Sequence, residues 1–143
     1  MTISDREKKL LNVFENFSDW EQKYKHIIDG GKKLVAMDDK YRTDNYLVKG
    51  CQSQVWLFAT LENQRIHFIA DSDALIVKGL IQLLFELYQD CLPAELIGAD
   101  LSIFEKLNLS AHLTPNRASG FQAMFKQMKM YAVAFHYQIH AGS

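Results

Sequence analysis

The chain has 143 residues, of which 48% are hydrophobic, and 16 basic side chains against 17 acidic ones give a formal net charge of −1. This balance argues against a surface built to hold nucleic acid or anionic lipid. Two cysteines are too few for a disulfide-stapled secreted scaffold, a four-cysteine zinc site or an iron–sulfur cluster. We therefore expect one globular domain over residues 1–143, with a substantial core.

The sequence shows no pattern of export or membrane insertion. Residues 1–7 lack the apolar core of a signal peptide. The longest apolar stretch, residues 80–88, is interrupted by Gln82 and Glu86 and is far shorter than a membrane span. We expect a cytoplasmic protein that binds no membrane and keeps both thiols reduced.

Two short amphipathic helices are predicted in the N-terminal fifth of the chain. Ser4 and Glu7 stand at capping-box spacing, as do Ser18 and Glu21. Apolar residues at helical spacing follow each box: Leu10, Leu11, Phe14 and Phe17 in the first helix, and Trp20, Tyr24, Ile27 and Ile28 in the second. Helices this short need a partner surface.

Three strand-like segments follow, at residues 46–48, 55–61 and 65–70, with residues 62–64 as a hairpin connection. The loops between them are too short for parallel crossovers, so the sheet should be antiparallel. A sheet of this kind needs helices over at least one face.

Helical patterns fill the second half of the chain. Residues 71–73 offer an N-cap for a central helix from residue 74 to about 88. Shorter segments begin at Pro93 and Ser102, and Thr114-Pro115 begins a last helix. The predicted fold is α+β, with a three-stranded antiparallel sheet and the order αα-βββ-ααα.

Cys51 is the first candidate for chemistry. It lies in the loop between the first two predicted strands, where Gly50 frees the backbone and the polar residues Gln52, Ser53 and Gln54 follow. A thiol displayed on a loop that a rigid sheet holds can act as a nucleophile. A small hydrophobe filling a loop pocket is the other interpretation, and composition does not choose between them.

The remaining cysteine and the histidines are weaker candidates. Cys91 follows an acidic residue, whose charge disfavours a thiolate, so we interpret it as structural. His136 and His140 are four residues apart but lack a third ligand, so no metal site is expected. His112 lies just before the last helix, close to Arg117.

Residues 50–56, GCQSQVW, resemble the signature of the SufE/CsdE family of sulfur-acceptor proteins, and QSQ after the cysteine is closer to the SufE branch. Further segments match the family in the same order: residues 20–24 (WEQKY), residues 71–80 (DSDALIVKGL), and residues 112–117 (HLTPNR) with Gly120. The resemblance runs from about Arg6 to the middle of the last helix.

This resemblance implies a sulfur carrier with the fold of IscU-type scaffold proteins. Such carriers take sulfane sulfur from a pyridoxal-phosphate cysteine desulfurase of the SufS or CsdA type, stimulate it, and pass sulfur toward iron–sulfur scaffold proteins. Cys51 would then carry a persulfide. The chain lacks the three cysteines with which a scaffold holds a cluster, which favours carriage over assembly. We expect a sulfur-transfer protein rather than a stand-alone enzyme.

Persulfide exchange needs a thiolate and access to the outer sulfur, but neither a metal nor a cofactor. We expect the Cys51 thiol to rest in an apolar recess, with its pKa raised by desolvation, and to swing out when the desulfurase docks. Arg117 could stabilise a persulfide anion together with the helix dipole, or simply lie at the surface. We expect Asp73 to cap the central helix and to contact the loop or Arg117, and Gln52 and Ser53 to order the loop.

Two other classes of function stay open. A self-contained hydrolase would use Cys51 as nucleophile and His112 as base, although no oxyanion-hole motif or orienting carboxylate is recognisable. A plain adaptor with an incidental cysteine would keep its function after Cys51→Ser. Residues 135–143 carry no predicted role.

Overall fold

A computed structural model describes residues 1–141. Gly142 and Ser143, which belong to the expected domain over 1–143, lie outside the described residues. The elements in chain order are α1 (Ile3–Glu15), α2 (Trp20–Gly31), two 3-10 helices (Asp39–Tyr41 and Asp44–Tyr46), β1 (Val55–Glu62), β2 (Arg65–Ser72), α3 (Leu75–Tyr88), α4 (Pro93–Ile97), α5 (Ser102–Lys106) and α6 (Pro115–Ala141).

The sheet is an antiparallel hairpin whose register runs from Val55 opposite Ser72 to Glu62 opposite Arg65. Asn63 and Gln64 form its two-residue turn, with φ angles of 53° and 65°. Positive φ at both central positions is what a type I′ hairpin turn requires. The predicted hairpin connection is therefore confirmed.

The predicted strand at residues 46–48 is wrong, because the described residues form a sheet of two strands. Tyr46, the first residue of this segment, belongs to the 3-10 helix Asp44–Tyr46 instead. Leu47 then makes one isolated bridge to Trp56. Gly50, at a φ of 94°, turns the chain away before a ladder can extend. The observed order of helices and strands is αα-ββ-αααα rather than αα-βββ-ααα.

The helix starts differ from the predicted ones by one or two positions, so both predicted capping boxes are wrong. Thr2 is the N-cap of α1 and forms a capping box with Asp5. Asp19 is the N-cap of α2 and accepts a hydrogen bond from the Gln22 N–H at 2.8 Å. The predicted apolar faces are otherwise present, except that Phe17 lies beyond the end of α1 at Glu15.

The central helix, α3, is buried over most of its surface, as predicted. It packs closely against α2, where a Cβ on Gly79 would lie 2.2 Å from the carbonyl oxygen of Ile27. The face of the sheet that packs against the helices is buried. Its buried residues are Val55, Leu57, Ala59, Ile66, Phe68 and Ala70. On the other face, Tyr41 stacks on Phe58 with ring centroids 4.3 Å apart. Val55, at the start of β1, lines a pocket together with residues of α3 and α6.

Candidate functional site

The loop that carries Cys51 lies directly against α6. A Cβ on Gly120 in α6 would lie 3.4 Å from the Cys51 Sγ atom, and a Cβ on Gly50 would lie 3.3 Å from that of Ala123. The loop and the helix therefore approach each other at two glycines. This contact fixes the place of the thiol relative to the core.

The Cys51 side chain is half-buried. Its Sγ atom lies 3.5 Å from the Gly120 carbonyl oxygen, to which the thiol donates a long hydrogen bond. Burial raises the pKa of this thiol, because the thiolate loses more hydration than the neutral form does. At neutral pH the resting side chain is accordingly a protonated and sheltered thiol.

A pocket of about 290 Å³ opens beside the thiol. Its apolar base comes from α3 and α6: Val77, Leu80, Ile81, Leu84, Phe121 and Met124. Its polar rim comes from the loop and the start of α6: Gln52, Ser53, Thr114, Asn116 and Arg117. A water molecule takes about 30 Å³ in the liquid, so the pocket has room for a second sulfur atom on Cys51.

The C-terminal side of the loop is tied to the end of β2. The Gln54 N–H donates to a carboxylate oxygen of Asp73 at 3.1 Å, and the buried Ser72 hydroxyl donates to the Gln54 carbonyl at 2.7 Å. The predicted cap by Asp73 is wrong, since Ala74 occupies that position without a side-chain cap. The expected contact between Asp73 and the loop is present.

Hydrogen bonds from Gln52 and Ser53 were expected to order the loop, and this expectation is wrong for the described residues. Gln52 is exposed, Ser53 is partly buried, and both side chains face the pocket rim. The ordering hydrogen bonds come from Ser72 and Asp73 instead. The segment from Cys51 to Ser53 is therefore held at its ends rather than along its length.

Arg117 lies in the first turn of α6, exposed at the pocket rim. Thr114 caps this helix as predicted, since its hydroxyl oxygen accepts the Arg117 N–H at 3.3 Å. The guanidinium and the positive end of the α6 dipole thus lie on the same side of the pocket. This side of the rim suits an anion.

The structure places His112 away from the pocket lining. Its ring stacks on Trp20, with centroids 3.8 Å apart and planes at 22°, and its carbonyl accepts a hydrogen bond from the Tyr24 hydroxyl. The Cys51 thiol donates to a backbone carbonyl, which cannot serve as a general base. The geometry therefore gives no support to a Cys51–His112 hydrolase.

Ser72 and Gly120 belong to the site, although the sequence predicts no role for either beyond their places in the segments at residues 71–80 and 112–120. A glycine inside a helical pattern signals close backbone approach, so Gly120 carried a usable signal. Ser72 lies between two acidic residues and looks like part of a cap, so its buried bond to the loop had no sequence signal.

The fold and pocket define an α+β protein with a sheltered loop thiol. The sequence profile of the SufE family, described as an Fe-S metabolism associated domain, matches residues 8–132. The chain belongs to the SufE family, and this membership connects it with sulfur transfer in iron–sulfur metabolism.

A solved structure has a similar fold: the solution structure of a hypothetical protein from Thermus thermophilus. It aligns with a TM-score of 0.77 and 17% sequence identity over 91% of this chain and 95% of that chain. At this identity the similarity establishes the fold alone. Separately, no helix in the described part of the chain combines the length and apolar character that a bilayer span requires.

Proposed function

We propose that this protein accepts sulfane sulfur from a pyridoxal-phosphate cysteine desulfurase as a persulfide on Cys51, stimulates that enzyme, and passes the sulfur to iron–sulfur scaffold proteins. One observation carries the proposal: the Cys51 thiol lies at an apolar pocket with room for a second sulfur atom. Family membership in iron–sulfur metabolism supports the assignment. The proposed setting is the cytoplasm, with no nucleic acid or membrane as partner.

The transfer step is a thiol–persulfide exchange that balances without an oxidant or reductant. The Cys51 thiolate attacks the outer sulfur of the desulfurase persulfide, and a new S–S bond forms as the S–S bond on the desulfurase breaks. The sulfur atom of the desulfurase cysteine leaves as a thiolate and takes the proton that Cys51 released. The products are a Cys51 persulfide and the free desulfurase thiol.

The loop contacts explain how the same thiol can be sheltered and then used. Bonds at Gln54 and the turn at Gly50 hold the loop ends, while the Cys51 thiol makes one weak hydrogen bond within the described part of the chain. Rotation about these ends would lift the thiol from the pocket toward a docked partner. Leaving the pocket removes the desolvation that raises the Cys51 pKa, so the thiolate becomes accessible at the interface.

Arg117 would act on the product of the transfer. A persulfide on Cys51 that returned to the pocket would lie near the rim where Arg117 and the α6 N-terminus supply positive potential. That potential favours an anionic sulfur. We assign Arg117 this stabilising role and give His112 none in the transfer.

The direct test is intact-protein mass spectrometry after incubation with a cysteine desulfurase and free cysteine. We expect a gain of one sulfur atom that a reductant removes, together with faster alanine release. Cys51→Ser should abolish both effects. The matched control Cys91→Ser should keep them, because Cys91 is buried away from the pocket. A lack of adduct on the native protein, or an adduct that survives Cys51→Ser, would overturn the proposal.

A further inference from the structure

The outer edge of β2 is closed by other parts of the chain over the first half of the strand. In an antiparallel ladder alternate residues direct their N–H and C=O groups away from the paired strand, and in β2 these residues are Ile66, Phe68 and Ala70. The Ile66 N–H donates to the Cys91 carbonyl at 2.9 Å. The side-chain amide of Gln89 accepts the Phe68 N–H at 2.7 Å and donates to the Phe68 carbonyl at 2.8 Å. This amide takes the place of a neighbouring strand at Phe68.

Ala70, the next residue in this alternation, has no such neighbour. Its N–H and C=O groups point away from β1, and within residues 1–141 neither group makes a hydrogen bond. The residue is nevertheless only 2% exposed, and it lines a cavity of about 250 Å³. Because a buried backbone donor and acceptor without partners is unfavourable, this position of the edge can bind one further extended backbone.

The cavity beside Ala70 also offers apolar contacts to a bound peptide. Phe85 of α3 lines it, as do Leu34 and Val35 from the segment that follows α2. Val35 is 76% exposed, and its backbone makes no hydrogen bond within the described part of the chain. An extended peptide at this edge would therefore pair with Ala70 and place apolar side chains against Val35 and Phe85.

The charges next to this cavity indicate an acidic peptide. Lys33 and Glu86 line it and also line a second cavity of about 330 Å³, to which Arg6 and Lys9 contribute. The described residues of the second cavity thus supply three permanent cations and one carboxylate. Two backbone carbonyls hold the Arg6 guanidinium, whereas Lys9 and Lys33 make no ion pair among the described residues. This excess of positive charge complements acidic side chains.

We propose that the β2 edge at Ala70 binds an extended segment of a partner protein, whose acidic residues at one end lie in the cavity of Arg6, Lys9 and Lys33. One residue of the segment would exchange two hydrogen bonds with Ala70, as the Gln89 side chain does with Phe68. The apolar cavity stabilises the strand, and the cations select the acidic sequence.

This edge is separate from the thiol pocket. The two cavities share no lining residue, and they lie on opposite faces of α3. Leu80 and Leu84 line the thiol pocket, whereas Phe85 and Glu86 line the cavity at the edge. The partner would therefore bind while Cys51 stays accessible, and the inference does not depend on the proposed function.

Amide hydrogen exchange measured by NMR tests the edge in the free protein. The Ala70 amide should exchange at least about tenfold faster than the Phe68 amide, because only the Phe68 N–H is hydrogen-bonded. Equal protection of the two amides would show that the edge is closed. Protection of Ala70 that rises with protein concentration would show that a second copy fills it. Either result would overturn the proposal.

Titration with two synthetic peptides, EEVTVT and TVTVEE, tests the chemistry of the partner in both strand directions. We expect at least one of them to bind with a dissociation constant below about 1 mM and to protect the Ala70 amide from exchange. The control peptides KKVTVT and TVTVKK should bind at least about tenfold more weakly. No binding of either acidic peptide, equal binding of the lysine peptides, or shifts centred on Cys51 would contradict this assignment.

Two variants locate the binding site. Lys33→Glu should raise the dissociation constant of the acidic peptide at least about tenfold, and Lys126→Glu, at an exposed position of α6 outside both cavities, should leave it unchanged. Ala70→Pro removes the outward N–H and should abolish binding, with circular dichroism to show that the variant is folded. Unchanged affinity in Lys33→Glu or in folded Ala70→Pro would refute the proposed site. Sulfur acceptance by Lys33→Glu should equal that of the native chain, which distinguishes failure here from failure of the proposed function.

Discussion

The two thiols of the chain differ in what surrounds them. Cys51 is half-buried on a loop, its sulfur donates a weak hydrogen bond to the Gly120 carbonyl, and a pocket lies beside it. Cys91 is 2% exposed, and its carbonyl accepts the Ile66 N–H at 2.9 Å across an isolated bridge to β2. One side chain has space to move, and the other is packed into the core.

A raised pKa therefore does not by itself identify or exclude a functional thiol. Burial raises the pKa of both groups, and it raises that of Cys91 to about 11, where the nearby charge of Glu95 adds to the effect. What separates them is access. Cys51 can leave its low-dielectric surroundings by a loop motion, whereas Cys91 is exposed only when the core opens.

The largest expected effect is the contrast in alkylation between the two thiols of the native protein. Exposure of Cys91 requires opening of the core, which costs several kcal/mol, so iodoacetamide should modify Cys91 on the order of 1,000-fold more slowly than Cys51. Peptide-resolved mass spectrometry measures both rates in one sample. In denaturant the two rates should converge. Comparable rates in the native protein would mean that the two thiols are equally accessible.

A smaller effect should follow from filling the space beneath the loop. Gly120→Leu directs a side chain at the Cys51 sulfur, because even a Cβ at this position lies 3.4 Å away. The thiol should be displaced outward, and its alkylation rate should rise about tenfold. Ser119→Leu adds the same group at an exposed neighbouring position and serves as the control. Equal rates in the two variants would show that the pocket does not shelter the thiol.

Loosening the loop should produce a weaker change in the same direction. Asp73→Ala removes the carboxylate oxygen that accepts a hydrogen bond from the Gln54 N–H at 3.1 Å. Because the Asp73 carboxylate is exposed and screened by water, this bond contributes only about 1 kcal/mol, so Cys51 alkylation should rise about fivefold. Asp44→Ala, at an exposed acidic residue of the second 3-10 helix, should leave the rate unchanged. A rate unaltered by Asp73→Ala would mean that this bond does not restrain the loop.

The pH dependence gives the smallest contrast. Burial raises the Cys51 pKa in the native protein, so the midpoint of its alkylation rate should lie at higher pH than in denaturant. The folded state favours the neutral thiol, and this contribution to stability is present at neutral pH and is lost as the pH rises through the folded pKa. A native midpoint at or below that of the unfolded chain would contradict the sheltered pose.

Local patterns predict much of this fold because they reflect local physics. The helices α1, α2, α3 and α6 and the hairpin between β1 and β2 are present as expected. The strand at residues 46–48 fails because a 3-10 helix and the left-handed Gly50 compete with strand pairing, and neither leaves a signature in hydrophobic pattern. The observed N-caps differ from the predicted ones because several polar residues near each helix start can act as the N-cap.

The site is predictable only in part for a related reason. Cys51 has a motif around it, but its pocket is assembled from residues 51–55, 77–84 and 114–124, which no local pattern connects. The ring of His112 faces Trp20 because the turn before α6 places it against α2, although the sequence brings it close to Arg117. Tertiary packing decides both cases.

Site-resolved mapping of the transferred sulfur distinguishes a mobile loop thiol from a buried one. The native protein is treated with a cysteine desulfurase and cysteine, free thiols and persulfides are blocked, and the peptides that contain Cys51 and Cys91 are weighed. Sulfur transfer through a mobile loop thiol predicts one additional sulfur atom on the Cys51 peptide and none on the Cys91 peptide. Additional sulfur on Cys91, or on neither peptide, would contradict it.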